Sequence, residues 1–319
     1  MNNLSVREFV KNNYHHFNAG ELSKSAQSLT QFTLDGGRLF ITLAGAMSTA
    51  RLGKTLAPLI RSGVVAGISC TGANLEEDVF LLVAQSKYES IDDWRSLSSE
   101  DDAELLNRKL NRVTDVCIPE DAAIREIERV MLPLWQNYSD NDQGKLPHEF
   151  FFEILQSGDL NIEGNPQDSW VMAAAEMAVP LFVPGWEDST LGNIFASHVI
   201  QSQIKPNTVL SGINYMTNLA KWYENQQTKL AFFQIGGGIA GDFPICVVPM
   251  LNQDLQRSVP LWSWFCQISE SSTSYGGYSG APPNEKITWG KLSTETPKFV
   301  IESDATIVAP LIFGYLLDM

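Results

Sequence analysis

The chain has 319 residues and a mass of 35.4 kDa, with 44% apolar and 18% charged residues. That is enough apolar material for a sizeable core, which argues against a globally disordered chain. A net charge of -15 and a pI near 4.7 argue against nucleic acid and anionic membranes as partners, and no apolar run reaches spanning length. The four cysteines, Cys70, Cys117, Cys246 and Cys266, show no metal-ligand spacing and follow no secretory signal. They read as reduced thiols of a cytoplasmic protein. The four histidines, His15, His16, His148 and His198, form no HExxH pair, so no metal site is expected.

The first 20 residues are polar and read as a peripheral segment, followed by a short helix over 21–29. Residues 38–44 form an apolar run between glycines, hence a buried strand. Helical spacing over 48–61 leads to a second buried strand at 64–70 and a helix over 75–83, with Glu76, Glu77 and Asp78 in its first turn. This repeated strand, turn and helix is the grammar of a parallel sheet with crossover helices. Residues 89–164 are more polar and read as mostly helical, with the clearest helix over 120–135 stopping near Pro133. Strands then resume at 180–183, 229–235, 260–268 and 298–301, with helices from 191 and over 305–317. Residues 21–319 are expected to be one α/β domain, a parallel sheet flanked by helices.

Five loops follow these strands. They are Thr71-Gly72 with the acidic triplet, Pro184 to Gly192, the glycine triplet Gly236-Gly237-Gly238, the segment through Ser279-Gly280-Ala281, and Glu302-Ser303-Asp304-Ala305. Loops at strand C-termini form the ligand rim of an open α/β sheet. Residues 236–241 fit G-x-G-x-x-G, although no acidic residue stands at the end of the next strand to complete a dinucleotide fingerprint. No P-loop or nucleophile elbow occurs. The loop Tyr275-Gly276-Gly277-Tyr278-Ser279-Gly280-Ala281-Pro282-Pro283 precedes Glu285-Lys286-Ile287-Thr288-Trp289-Gly290-Lys291. A lysine held against an aromatic ring, behind a closing loop, suits imine formation. Lys291 is the candidate nucleophile, and the combination points to hydride chemistry with a covalent amine carrier.

Together, Thr71 with Glu76-Glu77-Asp78, Asp188 with Leu191-Gly192, the glycine triplet, Ser279-Gly280-Ala281, Trp289-Gly290-Lys291 and Asp304-Ala305 resemble deoxyhypusine synthases over about residues 35–319. The resemblance implies that this domain is NAD-binding and Rossmann-like, and it implies a homotetramer with NAD sites at a subunit interface. It implies that NAD takes hydride from spermidine, that 1,3-diaminopropane leaves, and that the butylamine group passes through a lysine imine to an acceptor amine. By position, Lys291 would be the carrier, Trp289 would line the amine tunnel and Glu285 would pair with a substrate ammonium. Thr71, Glu77, Asp188, Gly236, Gly237, Gly238, Ser279, Asp304 and Ala305 would lie at the cofactor. The chain departs from the family where Gly241-Asp242-Phe243 replace Lys-His-His and where Cys246 replaces an asparagine. Asn193 and Tyr278 replace two aspartates that grip the polyamine. Asp242, Asn193 and Tyr278 are therefore candidate substrate contacts, and the departures leave open the acceptor, a protein lysine or a small amine. A homospermidine-forming or other polyamine-metabolising enzyme, and a non-catalytic NAD-binding protein, are the alternatives.

Overall fold

The computed structural model describes residues 4–273 and 276–318. Helices α1 (Val6–Asn13) and α2 (Phe17–Leu34) precede strand β1 (Arg38–Leu43). Turns lead to α3 (Gly53–Arg61), β2 (Val65–Cys70) and α4 (Gly72–Ala84). The middle of the chain holds β3 (Glu89–Ser90), α5 (Ser99–Asn107), β4 (Leu110–Val113), β5 (Val116–Pro119), α6 (Arg125–Asp140), α7 (Pro147–Ser157) and α8 (Trp170–Glu176). Then come β6 (Leu181–Phe182), α9 (Thr190–Ile200), α10 (Gly212–Glu224), β7 (Leu230–Ile235), α11 (Gly238–Ile245) and α12 (Val247–Pro249). The chain continues through β8 (Trp264–Ile268), α13 (Glu285–Thr288), β9 (Lys298–Ile301) and α14 (Ala305–Leu317).

Six strands build one parallel sheet in the order β6-β2-β1-β7-β8-β9. Within that sheet the order corresponds to 3-2-1-4-5-6, the doubly wound arrangement that opens a crevice where the strand order reverses. The reversal lies between β1 and β7, so the crevice lies at the C-terminal ends of those two strands. The parallel sheet flanked by helices read from the strand and helix grammar, and the Rossmann-like fold implied by the resemblance, are the fold observed. Strands β2, β7 and β8 are buried throughout, as expected of a sheet covered on both faces. Adjacent residues point to opposite faces: Phe232 packs edge-on against Trp262 at 4.9 Å, while Phe233 meets Phe313 of α14 at 5.5 Å.

Three local expectations are corrected. The polar middle contains a three-stranded antiparallel sheet, β3-β5-β4, with its own small cluster of Leu105, Leu110 and Cys117. Its strands are too short and too polar to give a strong alternating pattern. Pro133 does not stop its helix, and α6 continues to Asp140. The apolar face of Ile127, Met131 and Trp135 is buried across that point, and this packing outweighs the loss of one backbone bond. The acidic triplet is not in a first turn, because α4 already starts at Gly72 behind the Thr71 N-cap.

All three acidic side chains are buried. Glu76 accepts the Thr190 and Leu191 N–H groups at 2.9 and 2.8 Å, at the start of α9. Asp78 accepts the Ser169 hydroxyl and the Trp170 and Val171 N–H groups, at the start of α8. Two carboxylates on one helix thus satisfy the orphan donors of two others.

The N-terminal residues are docked on the C-terminal helix. Val10 is fully buried, the Arg7 Nε donates to the Tyr315 carbonyl at 3.1 Å, and Arg7 pairs with Asp318 at 3.3 Å. Asn18 of α2 donates to the Glu302 carbonyl at 2.8 Å and accepts from the Glu302 N–H at 3.2 Å. That exchange ties α2 to the loop after β9.

Candidate active site

The five loops read as a rim all leave C-terminal ends of parallel strands, so they gather along one edge of the sheet. Lys291 reaches that edge through a specific turn. Helix α13 ends at Thr288 with Trp289 as its C-cap, and the next residue, Gly290, has a φ of +68°. The Gly290 N–H donates to the Ile287 carbonyl at 3.0 Å and the Lys291 N–H to the Lys286 carbonyl at 3.0 Å, the paired bonds of a Schellman motif. A Cβ on Gly290 would stand 2.6 Å from Gln253 Nε2. Gly290→Ala is therefore expected to cost about 1 kcal/mol or more and to displace Lys291. A lowered melting temperature together with slower aldehyde labelling of Lys291 is the expected result.

The turn directs Lys291 inward. Its residue is 6% exposed; Nζ donates to Asp242 Oδ1 at 3.3 Å and lies 5.7 Å from the ring centroids of both Tyr278 and Trp289. These residues line a cavity of about 410 Å³ together with Cys246 and Glu285. The geometry thus unites Lys291, Asp242, Tyr278, Glu285 and Trp289. Trp289 itself is 66% exposed, so the lysine's shelter comes from Tyr278 and the α11 side of the cavity. Burial pushes the Cys246 thiol up, against the pull of the Lys291 charge. Burial also holds the Tyr278 phenol far above its ordinary range, with Asp242 and Cys246 adding to the effect. Tyr278 therefore stays protonated and acts as a donor.

Tyr278 is fixed from below by two glutamines that the sequence reading passes over. Gln234 and Gln267 are register partners on β7 and β8. The Tyr278 hydroxyl donates to Gln234 Oε1 at 2.7 Å, Gln234 Nε2 donates to Gln267 Oε1 at 2.9 Å, and Gln267 Nε2 donates to the Ser279 carbonyl. Gly241 makes room for the ring, since a Cβ there would stand 2.9 Å from Tyr278 Cε1. One glutamine inside each of two otherwise apolar strands is the signal that would have marked them. Lys286, 3% exposed beside Tyr278, is the other residue missed. Of the loop before it, Tyr275 lies outside the described residues.

The remaining candidates are spread along the rim. Asn193 is exposed on α9, where its Nδ2 donates to the Glu187 and Ser189 carbonyls at 3.1 and 2.7 Å, and it does not line the lysine cavity. Asp188 is exposed in the loop after β6. Thr71 donates to the Gly45 carbonyl at 2.8 Å and caps α4. Glu77 accepts from Thr49 at 2.7 Å, and burial raises its carboxyl. Asp304 caps α14 through the Thr306 N–H at 2.7 Å, with Ala305 as the first helical residue. Ser279 packs so closely on Gly237 that a Cβ there would stand 1.7 Å from the serine hydroxyl.

A dinucleotide fits the crevice on two observations. Helix α11 starts at the strand-order reversal with no side-chain cap on its N-terminus. Gly236, Gly237 and Gly238 put no side chain in front of those amides. Uncapped N–H groups behind a glycine turn suit a pyrophosphate. Ser269, Ser271, Ser279 and Glu302 line a neighbouring cavity of about 190 Å³ at the ends of β8 and β9, where a ribose could find hydroxyl and carboxylate partners. Among the described residues, no group of three or more His, Cys, Asp or Glu side chains is arranged to hold a metal ion.

Fold and site together define a doubly wound α/β protein of Rossmann type with a buried lysine at the C-terminal edge of its sheet. The deoxyhypusine synthase family model matches residues 10–316, and the chain belongs to that family. It is 27% identical to a deoxyhypusine synthase-like protein of Cyanothece sp., over 99% of this chain and 80% of that one. It is 26% identical to the Archaeoglobus fulgidus protein named Probable deoxyhypusine synthase 1, over 95% of this chain and 90% of that one. A crystal structure from Entamoeba histolytica, of a protein assigned as a deoxyhypusine synthase, superposes with a TM-score of 0.58 at 11% identity. The match covers 98% of this chain and 93% of the other, which supports the fold.

Proposed function

We propose that this protein is an NAD-dependent aminoalkyl transferase that takes an aminobutyl group from spermidine or a related polyamine, carries it as an imine on Lys291, and hands it to an acceptor amine. The observation that carries this reading is the buried Lys291 amine, which faces a cavity through a left-handed turn at Gly290. Glu285 supplies a carboxylate for a substrate ammonium at the cavity wall, and Trp289 offers a ring face to a cation. Asp242, 3.3 Å from the Lys291 amine, is placed to hold its ammonium and to take or return a proton as the imine forms and breaks.

When bound, NAD supplies the hydride acceptor and returns the hydride. The amides of α11 would take its pyrophosphate, with Asp188, Asp304 and Ala305 near its sugars, Ser279 beside the glycine turn, and Thr71 and Glu77 behind. The acceptor is a protein lysine or a small amine, and the working assembly is a homotetramer. A small amine, and so a homospermidine-type product, is favoured by Tyr278 and Asn193. Neither offers a carboxylate, and Asn193 lies outside the cavity.

The test is product analysis with the purified protein, NAD and a panel of polyamines, with and without an acceptor protein. Diamine release that requires NAD, without NADH accumulation, is the expected outcome. Stoichiometric NADH would make the protein an oxidoreductase instead, and tight NAD binding with no turnover of any amine would make it a binding protein.

A further inference from the structure

The two glutamines beneath Tyr278 are oriented by backbone. The carbonyls of Gly236 and Ser279 can only accept hydrogen bonds. Gln234 Nε2 donates to the first at 2.8 Å, and Gln267 Nε2 donates to the second. Each side-chain amide is thereby fixed with its oxygen as the remaining acceptor. Gln267 Oε1 accepts from Gln234 Nε2 at 2.9 Å, and Gln234 Oε1 accepts the Tyr278 hydroxyl at 2.7 Å. Turning either amide over would set its oxygen against a carbonyl oxygen in a buried place, a costly mismatch. The ladder therefore runs in one direction, and the phenol is its last donor.

This direction decides what Tyr278 shows the cavity. Gln234 is fully buried and does not line the cavity, whereas Tyr278 does. The hydroxyl is thus drawn below α11, where Gly241 leaves room for the ring edge. Within the protein the ring also packs on Lys286, which is 3% exposed, with Nζ 4.9 Å from the ring centroid. Ring carbon is left for the cavity, with its centroid 5.7 Å from Lys291 Nζ. Carbon atoms pack best at about 3.5–4 Å, so a chain attached to Nζ has room to lay its first methylenes on the ring.

We infer that Tyr278 is a specificity-determining residue for the cargo of Lys291, and that Gln234 positions it: the ring, with its hydroxyl withheld, selects an unsubstituted methylene next to the reacting carbon and disfavours one that bears a hydroxyl. This rests on the reading of Lys291 as the carrier. A hydroxyl laid on the ring would lose its water and find no partner there, because the polar atom of Tyr278 is already committed to Gln234. A free phenol at the same wall would supply that partner.

The test is reductive labelling of the full chain, at one pH, with propionaldehyde or lactaldehyde, which differ by a hydroxyl on the second carbon. The amine and the aldehyde carbon join as C=N with loss of water, and cyanoborohydride delivers hydride to that carbon, leaving a stable secondary amine. Peptide mass spectrometry gives the propionaldehyde-to-lactaldehyde ratio at Lys291. Dividing by the same ratio at the exposed Lys24 and Lys54 removes intrinsic reactivity. Both aldehydes meet the same amine, so the corrected ratio reads the wall. The wild type should favour propionaldehyde by about tenfold. Gln234→Leu frees the phenol and should bring the preference below about threefold. Tyr278→Phe has no hydroxyl to release and should keep the wild-type ratio, and adding Gln234→Leu to it should change nothing further. Should Gln234→Leu melt early, Tyr278→Ala removes the ring and should bring the ratio close to one.

A corrected ratio near one in the wild type overturns the inference, and that result needs no variant to fold. So does a wild-type ratio in folded Gln234→Leu or Tyr278→Ala. An equal loss of preference when Gln234→Leu is made in the Tyr278→Phe background also overturns it, since packing rather than the phenol would then be the cause. Loss of the transfer reaction with the ratio intact would sink the transferase reading alone. Transfer with a ratio near one would sink this inference alone.

Discussion

Lys291→Ala is expected to lower NAD-dependent diamine release by on the order of 10³-fold or more, as when an essential nucleophile is removed, and to abolish any borohydride-trapped adduct at that position. Lys291→Arg should do the same. A guanidinium restores the positive partner for Asp242 but cannot form an imine, so the arginine variant separates covalent chemistry from charge pairing. Both variants should fold. Asp242 is 51% exposed in its side chain, and water can solvate the carboxylate that loses its partner. Diamine release at the wild-type rate from Lys291→Ala would end the covalent mechanism whatever the fate of NAD.

The largest expected effect on stability lies far from the lysine, at Asp78. Its carboxylate accepts from the Ser169 hydroxyl and two backbone N–H groups at the start of α8. Asp78→Ala would leave all three donors without that acceptor and open a void, at a cost of about 3 kcal/mol or more. Asp78→Asn keeps the shape and one acceptor oxygen and should cost less.

The same residue predicts a pH dependence. Burial raises the Asp78 carboxyl to about 6 and the Glu76 carboxyl to about 7, outweighing the hydrogen bonds that oppose it. The folded state therefore holds these protons more tightly than the unfolded state. Stability is fully present below the unfolded values and is lost as pH rises through 6 to 7. Buried His148 works the other way: burial depresses it to about 3, so its contribution is lost as pH falls below its ordinary value of 6.5. Melting temperature should thus rise from pH 8 to pH 6.5, mainly through Glu76, and the difference between wild type and Asp78→Asn should change as pH falls from about 7 towards 5. A wild-type and an Asp78→Asn profile that stay parallel from pH 7 to pH 5 would mean that Asp78 holds no extra proton in the folded state.

The long strands and the rim were legible because burial on both faces writes continuous apolar runs, and glycine punctuates their ends. The acidic triplet was visible but misplaced by a turn. Its work is to cap helices more than ninety residues away in the chain, as the Asp78 to Trp170 and Glu76 to Thr190 bonds illustrate, and no local pattern reports such a partner. Lys291 was legible through its Trp-Gly-Lys context. Its true shelter was not, because Tyr278 is positioned by two glutamines that come from separate strands and meet only through the parallel register. Lys286 escaped notice because a lysine one residue into a short helix ordinarily points to water. Its amine is instead covered by Phe265 of β8 and by Tyr278 and Ala281 of the loop that follows, partners no local pattern reports.

The docking of α1 on α14 has a mechanical consequence. Arg7 grips Asp318 and the last carbonyls of α14, and the Ser5 hydroxyl reaches the same aspartate at 3.3 Å. Tension applied between the two ends of the described chain would therefore load this clasp first. The parallel sheet and the lysine turn lie in the closed loop behind it, so traction on the ends would peel α1 away before it reached the strands that hold the site.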